Sequence, residues 1–375
     1  MNSISLRLDR RPHPHRLRAF LLGLLIAALA SCDSRQKSPE WNQDSPPAHQ
    51  ASNATQSPEA SEKSANPTSS DNAESPDQAP TTGEITPQTE AKPHSKTSHN
   101  APATLRFVHY NVENWLLMDR RNHQGTAKNA PKPESEKRAA IRLIAAARPD
   151  AVGLCEIGTA ADLAEIQSML RQSGVDLPHS HYTGGSDEVR HLGFLSRFPI
   201  TEVNHPKETG FQLRGQSFEI NRGILDVSIT AASKPYRFLG VHLKSKREVD
   251  EGDQAEIRVH EARLLRRHVD AILNGKSDAR LIVYGDFNDT RPSSAFKAVT
   301  GSYNDPSYLM PIPFRDVRGD FWTHHWRPHD IYSRIDFVLV SRPLKPEVDF
   351  RASKILDDPG WADASDHRAL LAVFR

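Results

Sequence analysis

Residues 281–290 read Leu-Ile-Val-Tyr-Gly-Asp-Phe-Asn-Asp-Thr, and the first four make an apolar, β-prone run closed by a glycine. Such a run bounded by a turn signal predicts a buried strand, and Gly285 lets the backbone turn tightly at its end. Asp286 and Asn288 follow at i and i+2, a spacing that sets both side chains on one face of an extended backbone. An acid delivered to the lip of a sheet can hold a metal ion or a water. An uncharged amide beside it can grip a phosphate oxygen without adding negative charge. A strand ending in Gly-Asp is equally an ordinary turn with a satisfied carboxylate, so the decision passes to the rest of the chain.

Strand-like and helix-like segments alternate on both sides of this run. Strands are expected at 105–110, 151–155, 193–195, 223–230, 237–243, 281–284, 335–340 and 369–374. A helix is expected at 134–147, where Ala140, Leu143, Ile144 and Ala147 fall on one face, and Pro149 stops it. A longer helix is expected at 256–273, with Leu265, Val269, Ile272 and Leu273 on its buried side. Many strands with few helices between them predict two sheets packed together and helices outside.

Polar residues recur at the strand ends. Asn111 follows 105–110, Glu156 follows 151–155, His242 lies near the end of 237–243, and Asp286 with Asn288 follows 281–284. Asp336 lies at the start of 335–340, and Ser365-Asp366-His367 precedes the last strand. Each alone has a plain reading. Glu156 can be a solvated strand end, His242 a core imidazole, Asp336 an ion-pair partner of Arg334, and Asp366-His367 a turn. Together they form a set of carboxylate and amide oxygens with no thiolate or histidine cluster, which suits a hard cation such as Mg²⁺, or Mn²⁺ in its place.

Seven stretches carry a family resemblance: HYNVENW (109–115), LCEIG (154–158), GFLSRFPI (193–200), GVHLKSK (240–246), YGDFND (284–289), RIDFVLVS (334–341) and SDHRAL (365–370). In this order they resemble the endonuclease/exonuclease/phosphatase superfamily. That superfamily includes deoxyribonuclease-I-like enzymes, apurinic endonucleases, neutral sphingomyelinases and inositol-polyphosphate 5-phosphatases. The resemblance covers essentially all of 104–375. It implies an α/β fold, a four-layer sandwich of two mixed sheets face to face with helices on both outsides. It implies metal-dependent hydrolysis of a phosphoric ester, with Glu156 as principal metal ligand and Asn111 and Asp366 completing that site. Asp286 would then orient and deprotonate the attacking water, Asn288 would hold phosphate and water in line, and His242 would donate to a phosphate oxygen. His367, oriented by Asp336, would carry a proton or offset charge on the phosphate. Apurinic endonucleases usually place Asn where this chain has His242, which points away from base-excision repair.

Upstream of this domain the composition changes twice. Arg7, Arg10, Arg11, Arg16 and Arg18 precede an apolar stretch from Ala19 to Ala30, too short to span a bilayer and fitting the apolar region of a secretory signal. Leu29-Ala30-Ser31-Cys32 resembles the lipobox of bacterial lipoproteins. A signal peptide at 1–31, lipidation of Cys32 and an extracytoplasmic, membrane-anchored protein are therefore expected, with inner or outer membrane left open. Residues 33–103 contain, besides alanine and proline, only Trp41 and Ile85 as apolar residues, and too little apolar surface to offset ordering entropy. A disordered tether over 32–103 is expected, reaching roughly 40 to 50 Å as a flexible coil. Setting aside the 10 basic and 11 acidic residues of 1–103 from 48 and 47 in the chain leaves 38 and 36, a net near +2. Bulk charge thus forces neither nucleic acid nor anionic membrane as a partner. Cys155, the only other cysteine, has no internal partner and reads as a small buried hydrophobe.

Substrate is the least determined part. Phe321 to Tyr332 holds Trp322, Trp326, Tyr332, His324, His325 and His329, read either as a rim loop that stacks on bases or lipid head groups or as core packing. Lys244, Lys246 and Arg247 are read either as a phosphate-binding rim or as a solvated loop. His179 and His181, at i and i+2, read as surface imidazoles or, less readily, as ligands to a second metal. A nuclease is the first expectation. Phospholipid or sphingolipid head-group hydrolysis, small phosphate ester hydrolysis and an inactive binding lipoprotein are the alternatives. No protein partner is implied, and a monomer is expected.

Overall fold

A computed structural model describes residues 104–122, 125–250 and 252–375, so the signal, lipidation and tether expectations lie outside the described residues. In chain order the sheet strands are β1 (Leu105–Trp115), β2 (Ala151–Ile157), β3 (His179–Thr183), β4 (His191–Ser196), β5 (Ile200–Val203) and β6 (Ile224–Ala231). They continue with β7 (Lys234–His242), β8 (Leu281–Asp286), β9 (Met310–Pro311), β10 (Asp336–Val340), β11 (Lys354–Ile355) and β12 (Leu370–Phe374). One sheet has the order β11-β12-β1-β2-β4-β3 and the other β9-β10-β8-β7-β6-β5. The helices are α1 (Glu134–Ala146), α2 (Ala160–Gln172), α3 (Gln254–Gly275) and α4 (Ser294–Thr300).

Side-chain parity builds four layers from these elements. Along β8, Ile282 and Tyr284 enter the cluster between the sheets, while Leu281 and Val283 enter the one beneath α3 and α4. Along β1, Leu105 and Phe107 face the other sheet, while Val108 and Tyr110 join Ile144 of α1 and Ile166 of α2. Both faces of each central strand are thus covered, which is why these strands read as continuous apolar runs. The α/β four-layer sandwich expected from the sequence is the observed fold.

Strand direction decides where the ends go. In the first sheet β1 pairs parallel with β2 and antiparallel with β12; in the second β7 pairs parallel with β8, and β8 antiparallel with β10. The C-terminal ends of β1, β2, β7 and β8 therefore lie at the same edge as the N-terminal starts of β10 and β12. That single rule explains why four polar stations follow their strands and two precede them.

Among the elements that differ from the sequence expectation, two shape the first sheet and its helix layer. The first strand runs on past Tyr110 to Trp115, with a register shift against β2 between Asn111 and Trp115 that carries the polar stretch out of the ladder. The unexpected α2 buries Leu163, Ile166 and Leu170 and is started by a capping box in which Thr159 and Asp162 satisfy each other's backbone N–H groups.

Candidate active site

The interior between the sheets turns polar at the shared edge. The inward row of β1 runs Leu105, Phe107, then His109 and Asn111; that of β7 runs Tyr236, Phe238, then, past Gly240, His242. On β8 Ile282 and Tyr284 give way to Asp286, and on β10 Val340 and Val338 give way to Asp336. The site is the polar end of the inter-sheet core.

In the second sheet three of these residues stand abreast. His242 is in register with Asp286, and Asp286 with Asp336. His242 Nε2 lies 3.5 Å from Asp286 Oδ2. Asp286 Oδ1 accepts the backbone N–H of Asn288 at 2.8 Å, and Oδ2 accepts Asn111 Nδ2 at 3.1 Å and Asn288 Nδ2 at 3.3 Å. Burial pushes the Asp286 carboxyl up to about 6, the nearby His367 only partly opposing it. Gly285 has φ +151, and a Cβ there would sit 1.9 Å from the carbonyl oxygen of Val241, so the strand end admits no side chain before the acid. Asn288 adopts φ +51, and its Nδ2 also donates to Leu243 O at 3.0 Å. In this structure Asn288 braces Asp286 with its amide hydrogens.

The first sheet contributes through register irregularities at the ends of β1 and β2. Glu113, Asn114 and Glu156 all have positive φ (48, 55 and 67), a conformation costing about 1–2 kcal/mol for a side-chain-bearing residue. Local bonds hold it: Asn111 Oδ1 accepts the N–H of Glu113 at 3.1 Å, and Glu156 Oε2 accepts that of Asn114 at 2.8 Å. The amide of Asn111 is thereby oriented, with Nδ2 between Glu156 Oε1 (3.2 Å), Asp286 Oδ2 and His367 Nε2 (3.4 Å). Glu156 Oε1 also lies 3.9 Å from His242 Nε2.

His367 Nδ1 meets Asp336 Oδ2 at 2.8 Å, and Asp336 pairs with this histidine while Arg334 donates to Ile312 O. Burial pulls the His367 imidazole down, but Asp336 and Asp286 outweigh it and hold its pKa well above the ordinary range. Burial likewise raises Asp336, yet His367 and His109 keep its carboxyl well below the usual carboxylate range. His242 is the opposite case: burial, reinforced by Arg222, His367 and Arg190, pushes it well below its usual value, so it is neutral near pH 7. The site thus holds one cationic and one neutral imidazole.

All eight residues expected from the sequence lie in this connected cluster. Asp366 reaches it through His367, whose Nε2 is 3.8 Å from Asp366 Oδ1, and its backbone N–H donates to Glu113 Oε2 at 2.9 Å. Glu156 and Asp366 offer partly exposed carboxylate oxygens, a donor set that fits a hard divalent cation. Two trios place ligand atoms within 4.8 Å of one another, His324, Asp366 and His367, and Asp286, Asp336 and His367, and neither includes Glu156.

Residues that sequence reading did not assign also enter. Glu113 and Asn114 lie in the quoted HYNVENW stretch, but only the turn geometry shows that they anchor Asp366 and Glu156. Arg190 Nε donates to Asn114 Oδ1 at 3.0 Å, and buried Arg222 lies 3.1 Å from Asp187; no local pattern marks either. The aromatic stretch forms a rim ribbon, His324–Trp326 paired with Ile331–Ser333. Trp322 packs on Tyr332 and Trp361, with the Arg368 guanidinium 4.1 Å over its ring, so this tryptophan is fixed rather than loose. Of the basic residues after His242, Lys244 is buried and Lys246 stands 3.9 Å from Asp289. His181 meets His205 at 2.7 Å, ring nitrogen to ring nitrogen, instead of joining His179. Cys155 is buried between the sheets, as expected, and burial pushes its thiol well up.

Beside the cluster, a polar groove of about 620 Å³ is lined by Glu113, Glu136, Arg138, Arg142, Arg327 and Asp363, among others. Glu113 is shared between this groove and the site.

A model of the Endonuclease/Exonuclease/phosphatase family matches residues 122–367, well over half the chain. The catalytic domain of human Nocturnin, solved with a bound sulfate anion, is similar at 17% identity, over 72% of this chain and 94% of that one, with a TM-score of 0.51. Beta toxin from Staphylococcus aureus is similar at 16% identity, over 72% of this chain and 99% of that one, with a TM-score of 0.51. At such identities the likeness shows the fold. No curated protein matches the chain.

Proposed function

The chain belongs to the endonuclease/exonuclease/phosphatase family, and from that premise we propose that it is a Mg²⁺-dependent phosphodiesterase cleaving nucleic acid outside the cytoplasm, tethered by a lipid on Cys32. Members of the family are phosphoester hydrolases that generally use divalent metal ions. The observation that carries the reading is the abreast row of His242, Asp286 and Asp336, with Asp286 braced by two amides and raised to about 6.

A carboxyl with that value is ionised at neutral pH yet basic enough to take a proton from an attacking water in the transition state. Asn111 and Asn288 hold the acceptor oxygens still while it does so. His367, cationic against Asp336, offsets negative charge gathering on the phosphate, and neutral His242 supplies a hydrogen bond without competing for the proton. When bound at Glu156, with Asn111 and Asp366 alongside, a divalent cation supplies Lewis-acid polarisation of the phosphate and charge opposite the leaving oxygen. Mn²⁺ suits the same oxygen donors.

Nucleic acid is favoured over a lipid head group by the surroundings. The rim presents Trp326, packed on His329, and exposed Tyr332, stacked on His325, as aromatic surface, and the groove beside Glu113 offers Arg138, Arg142 and Arg327 for neighbouring phosphates. The test is a panel of plasmid DNA, RNA, sphingomyelin, inositol phosphates and a chromogenic diester, each with Mg²⁺, Mn²⁺ and chelator. Metal-dependent cleavage of DNA or RNA is expected. Full activity in excess chelator overturns the mechanism, and preference for sphingomyelin overturns the substrate.

A further inference from the structure

We infer that His109 is a positioning residue that fixes Asp336, and through it His367, by clamping the carboxylate from across the sandwich. This rests on the reading above, in which His367 must be held in one orientation.

His109 lies on the inward row of β1, two residues before Asn111, and is enclosed on all sides. Its Nε2 faces Asp336 Oδ1 at 3.4 Å, and its Nδ1 faces the carbonyl oxygen of Gly153 at 3.3 Å. Neither His109 Nε2 nor Asp336 Oδ1 makes a hydrogen bond of good geometry among the described residues, so the 3.4 Å approach is a polar contact between two buried atoms. A proton on Nε2 sets a donor against the carboxylate oxygen, the pairing that both buried atoms need. The ring cannot drift, because the Tyr284 ring packs 5.4 Å from it, and Tyr284 is pressed against Gly153, where a Cβ would approach its ring to 2.2 Å.

The geometry matters because Asp336 holds His367 through one oxygen only. A carboxylate bound at a single oxygen rotates about its terminal torsion, which is broad and soft. Thr323 Oγ1 accepts the backbone N–H of Asp336 at 3.0 Å, which places the main chain but not the carboxylate plane. His109 supplies the second point. The two imidazoles reach Asp336 from neighbouring strands of the first sheet, since His109 is in register with Leu370, three residues after His367. Asp336 belongs to the second sheet. The three residues therefore lock His367 only when the sandwich is closed.

The test uses the full chain with His109→Gln and His109→Asn. Gln extends an amide N–H as far as the lost ring nitrogen, whereas Asn is too short, and both are polar enough to fill the site. On a chromogenic diester His109→Asn is expected to lower kcat about 10- to 100-fold with KM nearly unchanged, and His109→Gln to restore most of it. Proton NMR reads the same effect without turnover. The wild type and His109→Gln should show a downfield His367 Nδ1–H resonance at one position, displaced or broadened in His109→Asn. Equal kcat in both variants with an unmoved resonance overturns the inference. A wild type with no metal-dependent hydrolysis sinks the functional reading instead, and the resonance shift then still decides the role of His109.

Discussion

The two sheets give the site unlike halves. The second sheet supplies His242, Asp286 and Asp336 from paired strand residues, with side chains 3%, 2% and 1% exposed. The first sheet supplies Glu156 from a register shift inside β2 and Asp366 from a bend, 15% and 32% exposed. Left-handed residues Glu113, Asn114 and Glu156 shape that half. Ladder hydrogen bonds make the first group rigid and dry, which raises Asp286 toward neutrality and suits proton transfer. The strand irregularity and the bend leave the second group partly exposed, as the proposed cation requires, since it needs oxygen ligands and room for its remaining waters. The difference teaches that one fold edge can hold both a dry and a partly exposed carboxylate, the pair that the proposed base and cation roles require, by drawing them from different kinds of backbone.

This contrast can be broken at several points. Gly285→Ala should have the largest effect, because its Cβ would collide with Val241 O at 1.9 Å in the ladder itself. A loss of roughly 4 kcal/mol or more, seen as insoluble protein or a collapsed melting transition, is expected; a normal melting curve would refute the rigidity assigned to this half.

Next come the two acids. Asp286→Asn should cut kcat by about 10²–10⁴-fold at any metal concentration. Glu156→Gln should instead shift the metal titration about 10- to 100-fold and recover in excess Mg²⁺. If extra metal rescues Asp286→Asn, or fails to rescue Glu156→Gln, the division of labour is wrong.

A smaller effect is expected from pH. The Asp286 carboxyl, raised to about 6 by burial, must be ionised to act as a base, so kcat/KM should climb about tenfold per unit below pH 6 and level off above it. For stability the sign is reversed. A folded-state value above the unfolded one, about 3.9, means that stability tied to this group is present at low pH and lost as pH rises from roughly 4 through 6. Activity and melting temperature measured across that window should therefore move in opposite directions, and Asp286→Asn should remove both trends.

Asn114→Gly should do least. It relieves φ +55 and keeps the backbone bond to Glu156 Oε2, losing only the side-chain contact to Arg190. A stability change within about 1 kcal/mol is expected. Destabilisation as large as that of Gly285→Ala would erase the difference between ladder and turn.

Much of this was legible along the chain. The apolar runs at 151–155 and 281–284 are strands because both of their faces are covered, and that coverage shows as unbroken hydrophobicity, whereas 105–110 was legible from its alternation of apolar and polar residues. The eight polar stations stood out because each interrupts or ends such a run. Glu113 and Asn114 did not, since an acid and an amide in a polar stretch look like any loop until the turn closes on Asp366 and Glu156. His109 was hidden for another reason. It continues the period-two alternation of β1, and only the facing sheet reveals that its neighbour is Asp336 rather than apolar packing.

The order of strands, their apolar faces and the identity of the polar residues at their ends are properties of the sequence, because burial and backbone period act locally. Which acid is buried in the ladder and which stays partly exposed, the difference on which the proposed base and cation roles rest, was decided only by tertiary structure. Asp286 and Glu156 each follow an apolar strand, and nothing local separates them. Parallel and antiparallel pairing brings the strand ends to one edge, and the packing of one sheet on the other sets how dry each carboxylate is. That dryness raises the Asp286 carboxyl, with His367 only partly opposing it, whereas Glu156 keeps a more exposed carboxylate.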